Sequence, residues 1–497
     1  MMRVRKSLAT FAALAAVLVV AACGSTVPQA QRTAAGQGGA GLDAGDGLVT
    51  AEGEVAGVDG GVDGVGGTAA AGSTGSGAGR GAAASSTGGA AGASAVKGPV
   101  LIGMVRTGVS NAAAFGVSLG NTVSETDVYN ALIAAMNDQG GVAGRRIQAV
   151  FADTDTASSN WDADFEAACA KFTQDNKVVA VLGYVFDHAD NLEGCLANKG
   201  IPDLSTTFNV PDAEVLQKYP LLVPLSTPRI ERRSLLKIDG GLQTGVLTKA
   251  SKIGVVTDMC PGTQRAWTKV AEPYLKSKGL TVASEAQVGC PRGSSEAAGE
   301  AGRAGNLVLQ FRTDGVDTIM LFTVSEGPGV LIIGNAAEAQ GWRPKYVVSS
   351  LVNGAVLAGQ IPAGQAANVH GFGWLPSQDV PPSGWPAPPA PAQRCVKLIE
   401  SKGIKLQAAA DFQFAFNGCE ALFAYESALK ATGGRTEGPL VVGALEALGS
   451  GYTGVMNLEG RMSFSRTQHD APSFARYFSF DGGCTCFVYR PATLTIR

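Results

Sequence analysis

"YNALIAAMNDQGGVAGRRIQAVFADTDT" (residues 129–156) holds a complete structural sentence. Val128, just before it, and Leu132, Ala135 and Met136 recur at the spacing of one helical face. The pair Gly140–Gly141 then suits a helix C-cap, where a left-handed backbone is needed. "RIQAVFADTD" (146–155) follows as a strand. Upstream, "VLIGMVRT" (100–107) is a short apolar run of the kind buried in a sheet. Strand, helix, glycine turn and strand make a β-α-β unit, and such units build parallel sheets.

The alternation continues outward. "NWDADFEAACAKFTQDN" (160–176) predicts a helix with Asn160 as N-cap, and "VVAVLGYV" (178–185) a strand covered on both faces. A helix over 191–199 and strands "PDLSTT" (202–207) and "LLVPLST" (221–227) come next. Helices over 231–249 and 263–278 flank the strand "KIGVVTD" (252–258). Beyond lie "LTVASEAQV", a helix ending near Arg312, the strand "DTIMLFT" (317–323), a helix over 330–340 and the strand "KYVVSS" (345–350). "PSQDVPPSGWPAPPAPAQ" (376–393) reads as a Pro-rich loop, followed by two or three helices to about residue 455. The tail turns β-like in "GRMSFS" (460–465) and "ARYFSFDGGCTCFVYR" (475–490). More strands are present than one doubly wound sheet holds, so the expected fold is α/β with two doubly wound, Rossmann-like lobes.

The chain has 497 residues, 45% of them hydrophobic, a length that supports one large domain or two lobes. A net charge of −3 and the absence of basic runs beyond the first residues argue against a nucleic-acid partner. Only three histidines occur, far apart in sequence, and no zinc-type spacing is present; neither a metal nor a cofactor is expected.

The beginning of the chain has its own logic. Arg3, Arg5 and Lys6 precede the apolar run 8–22. A helix needs about 20 apolar residues to cross a bilayer, so this shorter run predicts a secretion signal over 1–22. Ala21, Ala22, Cys23 and Gly24 resemble the lipobox of bacterial lipoproteins, which implies cleavage before Cys23 and a lipid on its thiol. Residues 23–98 are dominated by Gly, Ala, Ser and Thr and lack periodicity, so they predict an unstructured tether. The expected location is extracytoplasmic, with the membrane as a partner through Cys23. Nine cysteines are an odd count, and assigning Cys23 to lipid leaves an even eight. Exported chains form disulfides. Pairing of sequence neighbours is the expectation: Cys169 with Cys195, Cys260 with Cys290, and Cys395 with Cys419. Cys484 and Cys486 remain as a fourth pair, although sequence alone does not select among connectivities.

A helix closing in N-D-Q-G-G-V-A-G-R, then a strand and an acidic D-x-D turn, resembles the first β-α-β unit of type I periplasmic binding proteins. The similarity is greatest to the branched-chain amino-acid receptors of ABC transporters. "VVAVLGYV" followed by "GIPDLSTTFNVPDA" (200–213) is similar to the next unit, and the order of elements runs in parallel to about residue 490. The resemblance implies two lobes joined by a three-crossing hinge. The first lobe is expected to take 99–226 and 376–455, the second 227–375 and 456–497. It also implies a small polar ligand (an amino acid, an amide or a related compound) captured by cleft closure and delivered to an ABC permease and ATPase, with no enzymatic chemistry.

Open α/β sheets bind ligands beyond the carboxyl ends of their strands. In this chain those ends fall at 107–115, 184–188 and 206–209, then at Asp258, 323–326 and 349–350. By the resemblance, Thr206, Thr207 and Asn209 take the role of holding a ligand carboxylate. Asp258 or Glu326, with Ser325 beside it, takes an ammonium. Two departures stand out. "YVFDHAD" puts Tyr184, Phe186, Asp187 and His188 where the family has small hydroxyls, and "MCPGTQ" stands where an aromatic residue is usual. Other readings of the chain are a surface sensor of the same fold without transport, a structural wall lipoprotein, and a serine hydrolase suggested by "GVSLG" (116–120). A nucleophile elbow requires its serine directly between strand and helix. Ser118 lies some ten residues past the strand end, and hydrolysis is not expected.

Overall fold

The computed structural model describes residues 98–107, 117–154, 158, 160–184, 191–206, 210–291 and 294–497. The signal segment, Cys23, the tether up to residue 97, and Phe186, Asp187, His188, Thr207 and Asn209 lie outside the described residues.

The opening stretch folds as its chemistry demands. Ser124 caps helix α1 (Glu125–Asp138), its Oγ accepting the Asp127 amide at 3.0 Å. Near the helix end the Asn137 side chain acts as a short piece of added strand. Its Oδ1 accepts the Ile147 amide at 2.7 Å and its Nδ2 donates to the Ile147 carbonyl at 2.9 Å, which sets the start of the next strand. Between them the backbone runs left-handed at Gly140, Gly141, Ala143 and Gly144. Glycine is required at 141 for a second reason: a Cβ there would sit 2.0 Å from the Arg145 carbonyl oxygen. Val142 and Arg145 exchange both backbone hydrogen bonds at 2.9 Å, closing the turn. The Arg145 guanidinium donates to the carbonyls of Gly98, Pro99 and Gly434, tying the turn to two distant segments.

The first sheet contains β1 (Val100–Thr107), β2 (Ile147–Thr154), β3 (Ala180–Tyr184), β4 (Asp203–Thr206) and β5 (Leu222–Pro224). All pairings are parallel, in the order β2-β1-β3-β4-β5. Helices α2 (Trp161–Ala170), α3 (Asn191–Asn198) and α4 (Ala213–Lys218) make the connections. After β5 the chain leaves for the second sheet through α5 (Ile230–Thr244) and β6 (Lys252–Asp258).

There α6 (Pro261–Ala266), a π turn at Trp267–Ala271 and α7 (Glu272–Ser277) form one rod before β7 (Thr281–Val288). Then come α8 (Ser294–Thr313), β8 (Thr318–Phe322), α9 (Glu326–Ala339) and β9 (Lys345–Ser349). Two single-turn helices, α10 (Gly354–Leu357) and α11 (Ala363–Ala366), lead to β10 (Val369–Gly373). The chain passes through α12 (Pro376–Asp379) to α13 (Ala390–Glu400), α14 (Ala409–Ala431) and α15 (Gly438–Leu448). Of these, α14 packs on β3, β4 and α1 of the first sheet. A final hairpin, β11 (Phe474–Asp481) and β12 (Cys486–Thr495), returns to the second sheet. The order there is β12-β11-β10-β9-β8-β6-β7, parallel from β7 to β10 and antiparallel at β11 and β12. This is an α/β fold of two doubly wound units linked by three crossings. Among the described residues no helix is long and apolar enough to cross a membrane.

Three details differ from the sequence reading. "VHGFG" forms β10, a buried central strand, because Gly371 faces Phe478 on β11. The aromatic ring fills the glycine's side, and a Cβ on Gly371 would lie 2.0 Å from it. "GRMSFS" forms only isolated bridges, such as Met462 with Pro472, and no strand. The Pro-rich loop is partly helical, since prolines suit the first helical turn: Pro376 opens α12 and Pro391 lies in the first turn of α13.

Four disulfides are present: Cys169–Cys195, Cys260–Cys290, Cys395–Cys419 and Cys484–Cys486. Cys395 and Cys419 are fully buried between α13 and α14. Replacing both by alanine should cost about 3–4 kcal/mol, from the loop-closure entropy returned to the unfolded chain. Removing Cys484 and Cys486, which enclose a single residue, should cost about half as much. Equilibrium denaturation of the two variants checks the order; an equal loss would refute it.

Candidate functional site

In each sheet five strands follow the same winding, β2-β1-β3-β4-β5 and β7-β6-β8-β9-β10. The strand order reverses between β1 and β3 and between β6 and β8. A crevice opens at such switch points, outside the carboxyl ends of the strands.

On the first sheet the described wall consists of the backbones of Thr107 and Tyr184, and Thr206, at the ends of β1, β3 and β4. Thr206 is buried, and among the described residues neither its hydroxyl nor that of Ser205 has a hydrogen-bond partner.

On the second sheet the ends of β6, β8 and β9 are described. β6 ends in Asp258, buried, with one carboxylate oxygen accepting the Cys260 amide at 3.1 Å and the other the Val324 amide at 2.6 Å. The side chain thus fastens the end of β6 to the loop after β8. Burial pushes its pKa up to about 6 against these hydrogen bonds. Ser325 is the N-cap residue of α9, and its hydroxyl accepts no capping hydrogen bond from the helix. Asp258, Thr323 and Ser325 share the lining of one cavity of about 440 Å³.

Glu326 is turned elsewhere. One of its oxygens pairs with Lys237 Nζ at 2.7 Å, and the other accepts the Ser349 amide at 2.5 Å and hydroxyl at 2.7 Å. Lys237 also donates to the Leu321 carbonyl and lies over the Phe322 ring, and burial pulls its pKa down to about 8. Arg233, one turn earlier on α5, is fully buried with its guanidinium 3.9 Å from Glu326. Both oxygens of Glu326 are therefore committed inside the lobe. Sequence reading missed this cluster, although Arg233 and Lys237 at i and i+4 on the buried side of a helix were its visible trace.

The crossings between the sheets are tied to one another by hydrogen bonds. Trp374, just after β10, donates its indole N–H to the Ser226 carbonyl at 2.7 Å, and its own carbonyl accepts the Leu458 amide at 2.8 Å. Ser350 Oγ accepts the amides of Trp374 and Leu375. Glu420 on α14 accepts the amides of Val455 and Met456 and the Tyr452 hydroxyl. Asp379 accepts the Tyr489 hydroxyl at 2.7 Å.

A family model described as "periplasmic binding protein" matches residues 99–483. The chain belongs to the periplasmic binding protein family. Several solved structures share this periplasmic binding protein fold. One is an ABC-transporter solute-binding protein from R. palustris in complex with 4-hydroxybenzoate (TM-score 0.58, 16% identity, covering 80% of this chain and 97% of that one). Another is a branched-chain amino-acid transporter substrate-binding protein from Streptococcus pneumoniae in complex with isoleucine (0.57, 17%, 80% and 99%). A third is a substrate-binding protein from Desulfitobacterium hafniense in complex with Leu (0.54, 16%, 79% and 100%). No curated protein sequence matches the chain.

The hinge acids carry a pH signature. Burial pushes Asp379 and Glu420 up to about 7, and Glu125 on α1 likewise. A carboxyl raised in the folded state holds a proton that the unfolded chain has released. The stability it contributes is fully present below about pH 4 and is lost as pH rises through about 7. Melting temperature should therefore fall between pH 5 and pH 8, and Glu420→Gln should flatten that slope, with an effect on the order of 3 kcal/mol across the full titration. An unchanged slope in the variant would exclude Glu420 as a source.

Proposed function

We propose that this chain captures a small polar solute between its two sheets and passes it to an ABC permease and ATPase. The observation that carries the reading is the same winding repeated in two sheets, joined by three crossings that hydrogen-bond to one another. Such a frame lets two walls close on a ligand by bending at a few residues.

The first lobe would comprise 99–226 and 376–455 and the second 227–375 and 456–497. A ligand carboxylate would be held by Thr206, Thr207 and Asn209, with Tyr184, Phe186 and Asp187 shaping the same wall. Its ammonium would meet the remaining lone pairs of Asp258, beside Ser325. Asp258 suits this role better than Glu326, whose two oxygens already have internal partners. The ligand class is an amino acid, an amide or a related compound, as the ligands of the similar solved structures suggest. No step of this reading calls for bond-making chemistry. The signal at 1–22, the lipid on Cys23 and the tether at 23–98 would hold the receptor at the outer face of the membrane.

Native mass spectrometry of the purified protein should reveal a co-purified solute. Small-angle scattering should show a more compact particle when that solute is saturating, and identical profiles would refute closure. Asp258→Asn should weaken binding at least about tenfold, since a charge-assisted contact is lost. Cys23→Ala should move the protein from the membrane fraction to the soluble fraction.

A further inference from the structure

The hairpin of β11 and β12 turns at the end of the second sheet away from the crevice. β11 runs antiparallel to β10, with Arg476 opposite Gly373 and Ser479 opposite His370. Leaving β11 at Asp481, the chain therefore turns beyond the amino ends of the parallel strands. The turn is Gly482, Gly483, Cys484 and Thr485, all exposed, and a Cβ on Gly482 would meet nothing within 4 Å. Cys484 forms a disulfide with Cys486, the first residue of β12, and the bond encloses Thr485 alone. Of the disulfide cysteines among the described residues, Cys484 is the exposed one. Cys395 and Cys419 are fully buried, Cys260 is nearly so, and Cys169, Cys195 and Cys290 are half-buried.

Two properties open this pair to chemistry from which the buried ones are shielded. The first is access. Thiol–disulfide exchange requires a thiolate to reach one sulfur. A buried pair is reached only when the fold opens locally, at a cost in free energy; the Cys484 sulfur needs no opening. The second is the backbone of the enclosed residue, for Thr485 has φ 53°. A left-handed conformation is costly for a β-branched side chain. Gly482 and Gly483, which would adopt it freely, do not. With its two neighbours joined to each other, Thr485 has little freedom to relax while the bond is intact. Exposed and strained disulfides are the labile ones. Opening the bond leaves the hairpin in place, because Phe480 still pairs with Phe487 in the ladder and the buried Phe487 ring packs on Phe478.

We propose that Cys484–Cys486 is a thiol–disulfide exchange site for small thiols, attacked at Cys484 and made labile by the backbone it confines at Thr485. A thiol gives up its proton and its thiolate attacks the exposed Cys484 sulfur. A mixed disulfide forms there, the S–S bond breaks, and Cys486 leaves with the electron pair and takes a proton from water. A second thiol attacks the mixed disulfide, releasing the small-molecule disulfide and the Cys484 thiol. Two thiols are thereby oxidised and one protein disulfide is reduced, and the small-molecule disulfide recharges the site by the reverse steps. The turn offers glycines and a threonine, with no charge and no apolar side chain to dock a polypeptide, so the substrate class is a small thiol.

Reduced glutathione is the probe. The oxidised full chain is mixed with an excess of it, and samples are quenched with acid, alkylated and mapped by peptide mass spectrometry. Cys484–Cys486 should open at least about a hundredfold faster than Cys395–Cys419, which waits on opening of the fold. The first adduct should carry glutathione on Cys484, at least about tenfold more than on Cys486. At a fixed ratio of reduced to oxidised glutathione, Thr485→Gly should move the equilibrium toward the protein disulfide by about fivefold or more. A turn disulfide that opens no faster than Cys395–Cys419, an adduct mainly on Cys486, or an equilibrium unmoved by Thr485→Gly would each overturn the proposal. The measurements on the unaltered chain need no variant to fold, and none of these outcomes depends on whether a solute closes the cleft.

Discussion

The indole N–H of Trp374 reaching the Ser226 carbonyl is the bond around which the molecule is arranged. It joins the first crossing to the second, and the Trp374 carbonyl then accepts the third through Leu458. A long strap without such ties would let the sheets drift apart in any direction. Three straps bonded side by side leave few backbone torsions free, so relative motion is confined to a pivot. The ties are made inside the protein, where an unpaired polar group is costly and a paired one is firmly held. That burial is also why the acids anchoring the straps, Glu420 and Asp379, have raised pKa values.

Around this pivot the two sheets repeat one winding but end differently. The first stops at β5, whereas the second gains a hairpin on β10. The addition works because β10 gives up side chains at Gly371 and Gly373. Phe478 lies over the first, and the Asp379 carboxylate occupies the place where a Cβ of the second would stand. Elsewhere in the same lobe Lys237 crosses from α5 to Glu326 at the start of α9 and to the Leu321 carbonyl of β8, fixing that helix against the strand end it follows. The end of β6 and the start of α9, where Asp258 and Ser325 lie, are thus held by internal bonds.

Much of this was legible in residues 129–156. Helical spacing, a double glycine and an apolar strand foretold α1, its turn and β2, and the physical basis is now specific: Asn137 acts as a strand surrogate and Gly141 makes room for a carbonyl. Alternation of elements carried the reading through both sheets. β10 was not legible because its glycines are compensated by a ring more than 100 residues away. The commitment of Glu326 to Lys237 was hidden for a similar reason, since a charge on a helix gives no sign of the partner that burial will supply.

The disulfides have a consequence for how the chain acquires its structure. Each joins cysteines close in sequence, at separations of 26, 30, 24 and 2 residues. Each also stays within one half of the molecule, and none bridges the crossings. Cys23 set aside, a chain emerging from its amino end through a narrow exit would meet its cysteines as consecutive partners, with every pair complete before the first member of the next appears. Oxidation in order of appearance then yields the native set without reshuffling, and the pivot is left uncrosslinked when the last pair closes.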